Sequence, residues 1–273
     1  MTQPNENINC GYNLMEMLAV SAARVIRDGE VVFVGTGLPM LAALLAKSHH
    51  APNISMITEA GIYNPKPIHM PMSVSDSRWF YKSPWCAGPI EILTVFLQNR
   101  RIDVGFLGGA QIDIYGNLNS TVIGDYLKPK HRLPGSGGAS DIAIMSNRTI
   151  ITMVHEKRRF VERVDYLTTP GWKCYKFPGR KLVPREELGM WGGPEVVISD
   201  MGIMRFDETT KEMYVDQYFA DTGITLDQIK ANTGFDINVS RAKPVQPPTK
   251  EELAVLREKV DPERIFLGRK RKE

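Results

Sequence analysis

The sequence predicts an α/β fold: an open, mostly parallel sheet with helices on both faces and irregular insertions. Short runs of β-branched, aromatic and aliphatic residues, Val31-Val32-Phe33-Val34, residues 54–57, Val104–Leu107 and residues 150–154, show no polar alternation, which marks strands covered on both faces. Between them lie segments whose apolar residues recur three and four positions apart, the period of a helix. A strand, a helix and a second strand in succession need a crossover connection, and therefore pair in parallel.

Taken in order, Leu14, Met17, Leu18, Ala22, Val25 and Ile26 share one helical face, and Asp28-Gly29 ends that helix. The strand 31–34 runs into the turn Gly35-Thr36-Gly37, after which Leu38, Leu41, Ala42 and Leu45 resume the helical period until Ala51-Pro52-Asn53. Residues 54–57 form the next strand, ending at Thr58-Glu59-Ala60-Gly61. Prolines 65, 67, 71, 84 and 89 deny the following segment long regular elements, and it is expected to be an irregular connection. Pro89 can open a helix carrying Ile90, Leu93, Phe96 and Leu97, and strand 104–107 then enters Gly108-Gly109-Ala110-Gln111. Tyr115-Gly116-Asn117 is turn chemistry and Gly135-Ser136-Gly137-Gly138 a tight loop. Residues 169–194, rich in Gly and Pro, are expected to be a surface excursion. Val196-Val197-Ile198 and the alternating Met213, Val215 and Gln217 suggest further strands, with Met204-Arg205-Phe206-Asp207 leading into a turn at Asp207-Glu208. Two closing helices each begin at a capping box, Thr225 with Gln228 and Thr249 with Glu252. With 273 residues and no internal repeat, residues 1–273 are expected to form a single domain.

Composition narrows the function classes. Thirty-four Lys and Arg against 31 Asp and Glu leave a formal charge of +3, too small to mark a nucleic-acid binder. Cys10, Cys86 and Cys174 are odd in number and far apart, which offers neither a disulfide framework nor a zinc knuckle. The N-terminal stretch lacks the basic and apolar regions of a signal peptide, and no run reaches the length of a membrane span, so a cytoplasmic protein without membrane contact is expected. The basic run Arg269-Lys270-Arg271-Lys272 suits a solvated terminus.

Several residues carry candidate chemistry. Gly35-x-Gly37 between strand and helix, with Glu59 downstream, is similar to a dinucleotide fingerprint, but Met40 fills the third glycine position and Pro39 sits in the loop; a plain glycine turn competes with it. Histidines 49, 50, 69, 131 and 155 show no metal-binding spacing, and no metal is expected. Cys86 can be read as a nucleophile at a helix start or as a buried inert thiol. Glu59, at the carboxyl end of a buried strand, either points into the crevice where open α/β sheets bind ligands or caps the strand end at the surface. The loops Gly108-Gly109-Ala110 and Gly135-Ser136-Gly137-Gly138-Ala139 either offer backbone N–H groups to a ligand oxygen or are only tight turns.

Taken together, Val34-Gly35-Thr36-Gly37-Leu38-Pro39, Glu59-Ala60-Gly61, Phe106-Leu107-Gly108-Gly109-Ala110-Gln111-Ile112-Asp113-Ile114-Tyr115-Gly116-Asn117 and Gly135-Ser136-Gly137-Gly138-Ala139 resemble, in that order, the β subunit of family I CoA-transferases, nearest the glutaconate type. His155-Glu156-Lys157-Arg158-Arg159-Phe160, Thr169-Pro170-Gly171-Trp172 and Asn232-Thr233-Gly234-Phe235-Asp236 continue the likeness over nearly the whole chain. The resemblance implies the open sheet of that family and a nucleophilic glutamate in a Glu-x-Gly motif, which falls on Glu59. Ala60 stands where the family usually has Ser or Asn.

The implied reaction is ping-pong transfer of coenzyme A between carboxylates through a glutamyl-CoA thioester on Glu59. Its oxyanions need N–H donors, expected from Gly137, Gly138 and Ala139, with Gly109, Ala110 and Gln111 in the same crevice. Gly61, Gly35, Gly37, Ser120 and Arg158 are weaker candidates for contact with CoA or substrate, and the cluster Lys157-Arg158-Arg159 also suits a solvated surface. The resemblance further implies no permanently bound cofactor, with coenzyme A and acyl-CoA acting as substrates, and a separate α subunit as partner. The alternatives are an acyl-CoA hydrolase, ring-opening enzyme or decarboxylase on the same scaffold, or a nicotinamide-binding module using Gly35 and Gly37.

Overall fold

The computed structural model describes residues 11–176 and 181–268. Cys10 and the basic run 269–272 lie outside the described residues. The chain opens with α1 (Leu14–Val25), β1 (Val31–Val34), α2 (Leu38–Ser48) and β2 (Ser55–Thr58), the succession read from periodicity. Next come two short strands, β3 (Ile62–Tyr63) and β4 (Trp85–Cys86), then the helix α3 (Pro89–Glu91), continued as a π-type stretch Ile92–Leu97, and β5 (Val104–Leu107). Two small hairpins follow, β6 (Gln111–Ile112) with β7 (Leu118–Asn119) and β8 (Val122–Gly124) with β9 (Pro129–Arg132), and then α4 (Ala139–Met145) and β10 (Arg148–Met153). The remainder holds β11 (Lys173–Lys176), β12 (Lys181–Pro184), β13 (Pro194–Ser199), β14 (Gly202–Phe206), β15 (Met213–Tyr218), α5 (Leu226–Ala231), β16 (Lys243–Pro244) and α6 (Lys250–Ala254).

The main sheet has the order β16-β15-β14-β13-β10-β5-β1-β2-β3-β4. Its inner strands β2, β1, β5, β10 and β13 are all parallel, and antiparallel partners β3 and β14 extend it on either side. Successive residues of one strand enter different cores, which explains the unalternated runs. Val32 and Val34 of β1 join α1, α2 and the C-terminal helix on one face, while Phe33 packs with Ile92, Leu97 and Ile142 on the other. Both faces are thus covered by helices, as the sequence predicts.

Capping explains where the helices start. The boxes Thr225–Gln228 and Thr249–Glu252 both form, and α1 begins at a third, Asn13 with Glu16, that periodicity does not reveal. Two segments carry more order than expected. The Pro-rich connection contributes β3 and β4, which sit at the sheet edge where proline is tolerated. Residues 169–194 contain the β11–β12 hairpin, whose strands carry Lys173, Lys176, Lys181 and Pro184 and so present no apolar run of the kind seen in β1. Among the described residues, no helix is long and apolar enough to cross a membrane.

Connectivity fixes where a ligand can sit. From β1 the chain passes through α2 to β2 on one side, whereas β5, the other neighbour of β1, leads on to α4 and β10. Helices α2 and α4 pack in the two different cores, so the winding reverses between β1 and β5. Such a reversal opens a crevice beyond the carboxyl ends of the strands.

Candidate active site

A crevice of about 280 Å³ lies at that reversal, lined by residues that follow β1, β2 and β5 and by the loop before α4. Phe33, Val34, Phe106, Leu107 and Ile142 form its apolar floor, and Gly35, Thr36, Glu59, Gly108 and Ser136 to Ala139 its polar rim. Val74, from the Pro-rich connection, closes one side, held by donation of its N–H to Thr36 Oγ1 at 3.2 Å. Thr36 and Val74 are 38 positions apart, and no local pattern announces their meeting.

Glu59 owes its position to a tight turn. The N–H of Gly61 donates to Thr58 O at 3.0 Å, so Glu59 and Ala60 are the two residues at the bend. Gly61 has φ of +93°, and a Cβ there would lie 1.8 Å from the carbonyl oxygen of Ala87, so both conformation and space demand glycine. Gly61 is therefore a backbone fixture that aims its neighbour. The Glu59 side chain is exposed and, among the described residues, its carboxylate has no hydrogen bond or ion pair. It faces the loop before α4, where a Cβ built on Gly138 would stand 3.2 Å from Glu59 Oε1. A side chain at position 138 would make the carboxylate give way by a few tenths of an ångström.

The loop is tied by hydrogen bonds yet leaves donors over. Ala139 N–H donates to Ser136 O at 2.9 Å and Ser140 N–H to Ser136 Oγ at 3.2 Å, while the N–H groups of Gly137 and Gly138 find no acceptor among the described residues. Of the expected N–H donors in this loop, two remain available to a ligand and that of Ala139 is engaged. Gly109, Ala110 and Gln111 lie outside the crevice lining, where Gly108 takes their place. Ala110 N–H is spent on Asn119 O, and the buried Gln111 carboxamide is consumed by Asp165 and Asn119. Ser120 Oγ donates to Gly135 O at 3.0 Å, bracing the loop from behind. Arg158 is exposed and pairs with Glu156 at 2.7 Å, away from the crevice lining.

The dinucleotide reading of Gly35 and Gly37 meets an obstacle in Met40, which is fully buried in the core where the fingerprint needs a third glycine. Gly35 lines the crevice, whereas Gly37 starts α2 with φ of +87°. Cys86 departs from the expected buried thiol. It lies exposed on edge strand β4, donating to Ser83 Oγ at 3.6 Å. No group of three His, Cys, Asp or Glu side chains able to hold a metal occurs among the described residues.

The downstream segments form scaffold contacts. His155 stacks on Phe160 with ring centroids 3.8 Å apart and bridges Ser199 Oγ and Thr233 Oγ1, and burial pushes its imidazole down to about 3. Gly234 N–H donates to Phe160 O at 2.7 Å, and Gly171 N–H to Asn117 Oδ1 at 2.8 Å. Burial pushes the Asp113 carboxyl up to about 6, against hydrogen bonds from Asn117 and the Tyr115 backbone. The buried Arg185 guanidinium donates to the carbonyls of Pro170, Gly171, Ala143 and Trp191, tying α4 to the 169–172 segment.

Known proteins resemble the chain in sequence and in fold. The family described as coenzyme A transferase matches residues 15–232. The β subunit of glutaconate CoA-transferase of Acidaminococcus fermentans is 44% identical over 264 residues, 94% of this chain and 95% of that one. The β subunit of 3-oxoadipate CoA-transferase of Pseudomonas knackmussii is 39% identical, covering 90% of this chain and 92% of its own. The crystal structure of glutaconate coenzyme A-transferase from Acidaminococcus fermentans superposes with a TM-score of 0.86 at 40% identity, over 96% of this chain and 99% of that chain. With the fold and these relatives in agreement, the chain belongs to the coenzyme A transferase family.

Proposed function

We propose that this chain is the β half of an acyl-CoA:carboxylate CoA-transferase of the glutaconate type, working with a separate α subunit, and that Glu59 is its nucleophile. The observation that carries the reading is a carboxylate that has no partner among the described residues and that shares a crevice at the winding reversal with Gly137 and Gly138, whose backbone N–H groups find no acceptor among those residues. An ordinary glutamate is ionised near neutrality, so such a nucleophile needs no adjacent base.

A Glu59 oxygen attacks the thioester carbonyl of an acyl-CoA, and the oxyanion that forms is met by the N–H groups of Gly137 and Gly138. Collapse expels the CoA thiolate and leaves an acyl-glutamyl anhydride. The thiolate attacks the glutamyl carbonyl, the acyl carboxylate departs, and Glu59 carries CoA as a thioester. An incoming carboxylate attacks that carbonyl and displaces the thiolate, which then takes the new acyl group and frees Glu59. Every bond broken is matched by one formed, so the cycle needs no bound cofactor or metal and no net proton transfer. The names of the relatives support a short dicarboxylic acyl group and an α partner, and a cytoplasmic location suits an enzyme of free CoA thioesters.

The test is mass spectrometry of the chain co-expressed with its α partner and incubated with glutaconyl-CoA. A peptide containing Glu59 should gain the mass of CoA less water, and hydroxylamine should remove it with loss of activity. Turnover without any such adduct would overturn the reading.

A further inference from the structure

The N–H donors that share the crevice with Glu59 stand on a loop that side-chain packing does not hold. Gly135 and Gly137 have φ of +96° and +49°, and a Cβ built on either would meet no atom within 4 Å. Glycine in open space turns its peptide planes at little cost, so hydrogen bonds must fix where the N–H groups point. At the α4 end this falls to Ser136 and Gly138. Ser136 Oγ accepts from Ser140 N–H at 3.2 Å and donates to Ser140 Oγ at 2.9 Å, and Ser136 O accepts from Ala139 N–H at 2.9 Å. Gly138 O accepts from Ile142 N–H at 3.0 Å.

At the other end a single residue performs the task. Gly135 N–H donates to Ser120 O at 2.8 Å, and Ser120 Oγ donates to Gly135 O at 3.0 Å, so Ser120 holds both peptide groups flanking the Gly135 α-carbon. Ser120 is itself seated from below. Its N–H donates to Thr168 Oγ1 at 2.9 Å, and the buried Thr168 is fixed in turn by its N–H to Leu118 O at 2.9 Å and by a 2.7 Å hydroxyl contact with Thr121. The backbone alone closes the neck of the β8–β9 hairpin, through Gly135 N–H to Ser120 O and Leu133 N–H to Thr121 O at 3.0 Å. The Ser120 hydroxyl is surplus to that closure. What it fixes is the Gly135–Ser136 peptide, which immediately precedes the one carrying the Gly137 N–H. Ser120 also lies outside the crevice lining, which leaves it a positioning role and no direct contact with a ligand there.

We infer that Ser120, seated by Thr168, is a positioning residue for CoA transfer: by holding Gly135 O, its hydroxyl aims the N–H groups of Gly137 and Gly138 at the oxyanion formed beside Glu59. The inference rests on the transferase reading and deepens it. Such donors act on charge that develops only in the transition state, so a loop released from Ser120 slows the chemistry and leaves substrate binding as it was.

The test uses the full chain co-expressed with its α subunit, with glutaconyl-CoA and a carboxylate acceptor. In Ser120→Ala, kcat should fall about tenfold, as for donors moved slightly off their target, while KM for both substrates moves less than about twofold. The melting temperature should drop by no more than about 4 °C, the scale of one lost hydrogen bond. Hydrogen exchange read by mass spectrometry should quicken about tenfold at the bonded amides of Gly135, Ala139 and Ser140 as the loop opens more often. Ser120→Thr, which keeps the hydroxyl, should recover both kcat and slow exchange, and across the three proteins kcat should fall as exchange rises. An unchanged kcat, a kcat that falls without faster exchange, or a KM that rises with kcat held, which would mark Ser120 as a substrate contact, overturns the inference. If the parent complex transfers no CoA, the transferase reading has failed, and the exchange rates still decide whether Ser120 holds the loop.

Discussion

The crevice and the scaffold around His155 are built from segments that look equally distinctive in the sequence, yet they treat their polar groups in opposite ways. Around His155, each ring nitrogen has a hydroxyl partner, the ring has a stacking partner, and the neighbouring glycine donates to a carbonyl. The Gln111 carboxamide and the Asp113 carboxylate are likewise engaged. In the crevice, the Glu59 carboxylate and the N–H groups of Gly137 and Gly138 are left without partners among the described residues. Buried polar groups must be paired to repay their desolvation, whereas groups reserved for a ligand stay open until it arrives. Between the His155 contacts and the crevice, the difference thus lies in which polar atoms lack a partner among the described residues.

The largest effect should follow from Glu59→Gln. The side chain is exposed and unpaired, so the melting temperature should hold, while transfer falls by roughly 10⁴-fold or more, as when other enzymes lose a nucleophile. Assay of the co-expressed complex checks this. A variant that keeps most of its activity would place Glu59 with the inert groups and dissolve the contrast.

His155→Ala tests the other side. Losing the stacked ring and two buried hydrogen bonds should cost about 3 kcal/mol, lowering the melting temperature by roughly 6–12 °C in a domain of this size. The pH dependence has a definite sign. The folded imidazole stays neutral down to about 3, whereas the unfolded one takes up a proton below about 6.5. Stability contributed by neutral His155 is full above that value and is lost as pH falls through the window, at up to roughly 1.4 kcal/mol per unit. Urea titrations between pH 7.5 and 4.5 should show this slope in the parent and a shallower one in the variant.

How much of this the sequence discloses depends on the distance between partners. The parallel strands, their helices and Glu59 at a strand end are legible because each rests on residues within a few positions. The Gly138–Glu59 approach spans 79 positions and the Thr36–Val74 tie 38, so neither leaves a local pattern. The glycine runs are visible, but which glycine lines the crevice is decided by the β6–β7 hairpin, which takes up Gln111 while Gly108 stays exposed. Cys86 misleads for a related reason. Its apolar and proline neighbours suggest burial, while its strand lies at the sheet edge.

Gly138→Ala sharpens the contrast within the crevice. With φ of −79° the backbone accepts alanine, so folding should be unaffected. The added methyl would stand 3.2 Å from Glu59 Oε1 and 3.7 Å from Leu93 Cδ2, tilting the carboxylate and crowding the space for the oxyanion. Transfer should fall roughly 10- to 100-fold, the scale of a misplaced reacting group. The loss should appear in kcat, with an unchanged melting curve.

The smallest effect should come from Ala60→Ser, although Ala60 adjoins the proposed nucleophile. Its methyl packs against the apolar core shared by α1 and α2, on the side of the turn away from the crevice. A hydroxyl there meets hydrocarbon and reaches neither Glu59 nor the free N–H groups, so it costs up to about 1 kcal/mol of stability. The rate should change less than about threefold, well under the 10²–10³ that loss of an oxyanion donor brings. Steady-state kinetics of the co-expressed complex decide the matter. A change of tenfold or more in kcat would mean that position 60 reaches the reacting atoms, and that the boundary between open and saturated groups runs through the turn itself.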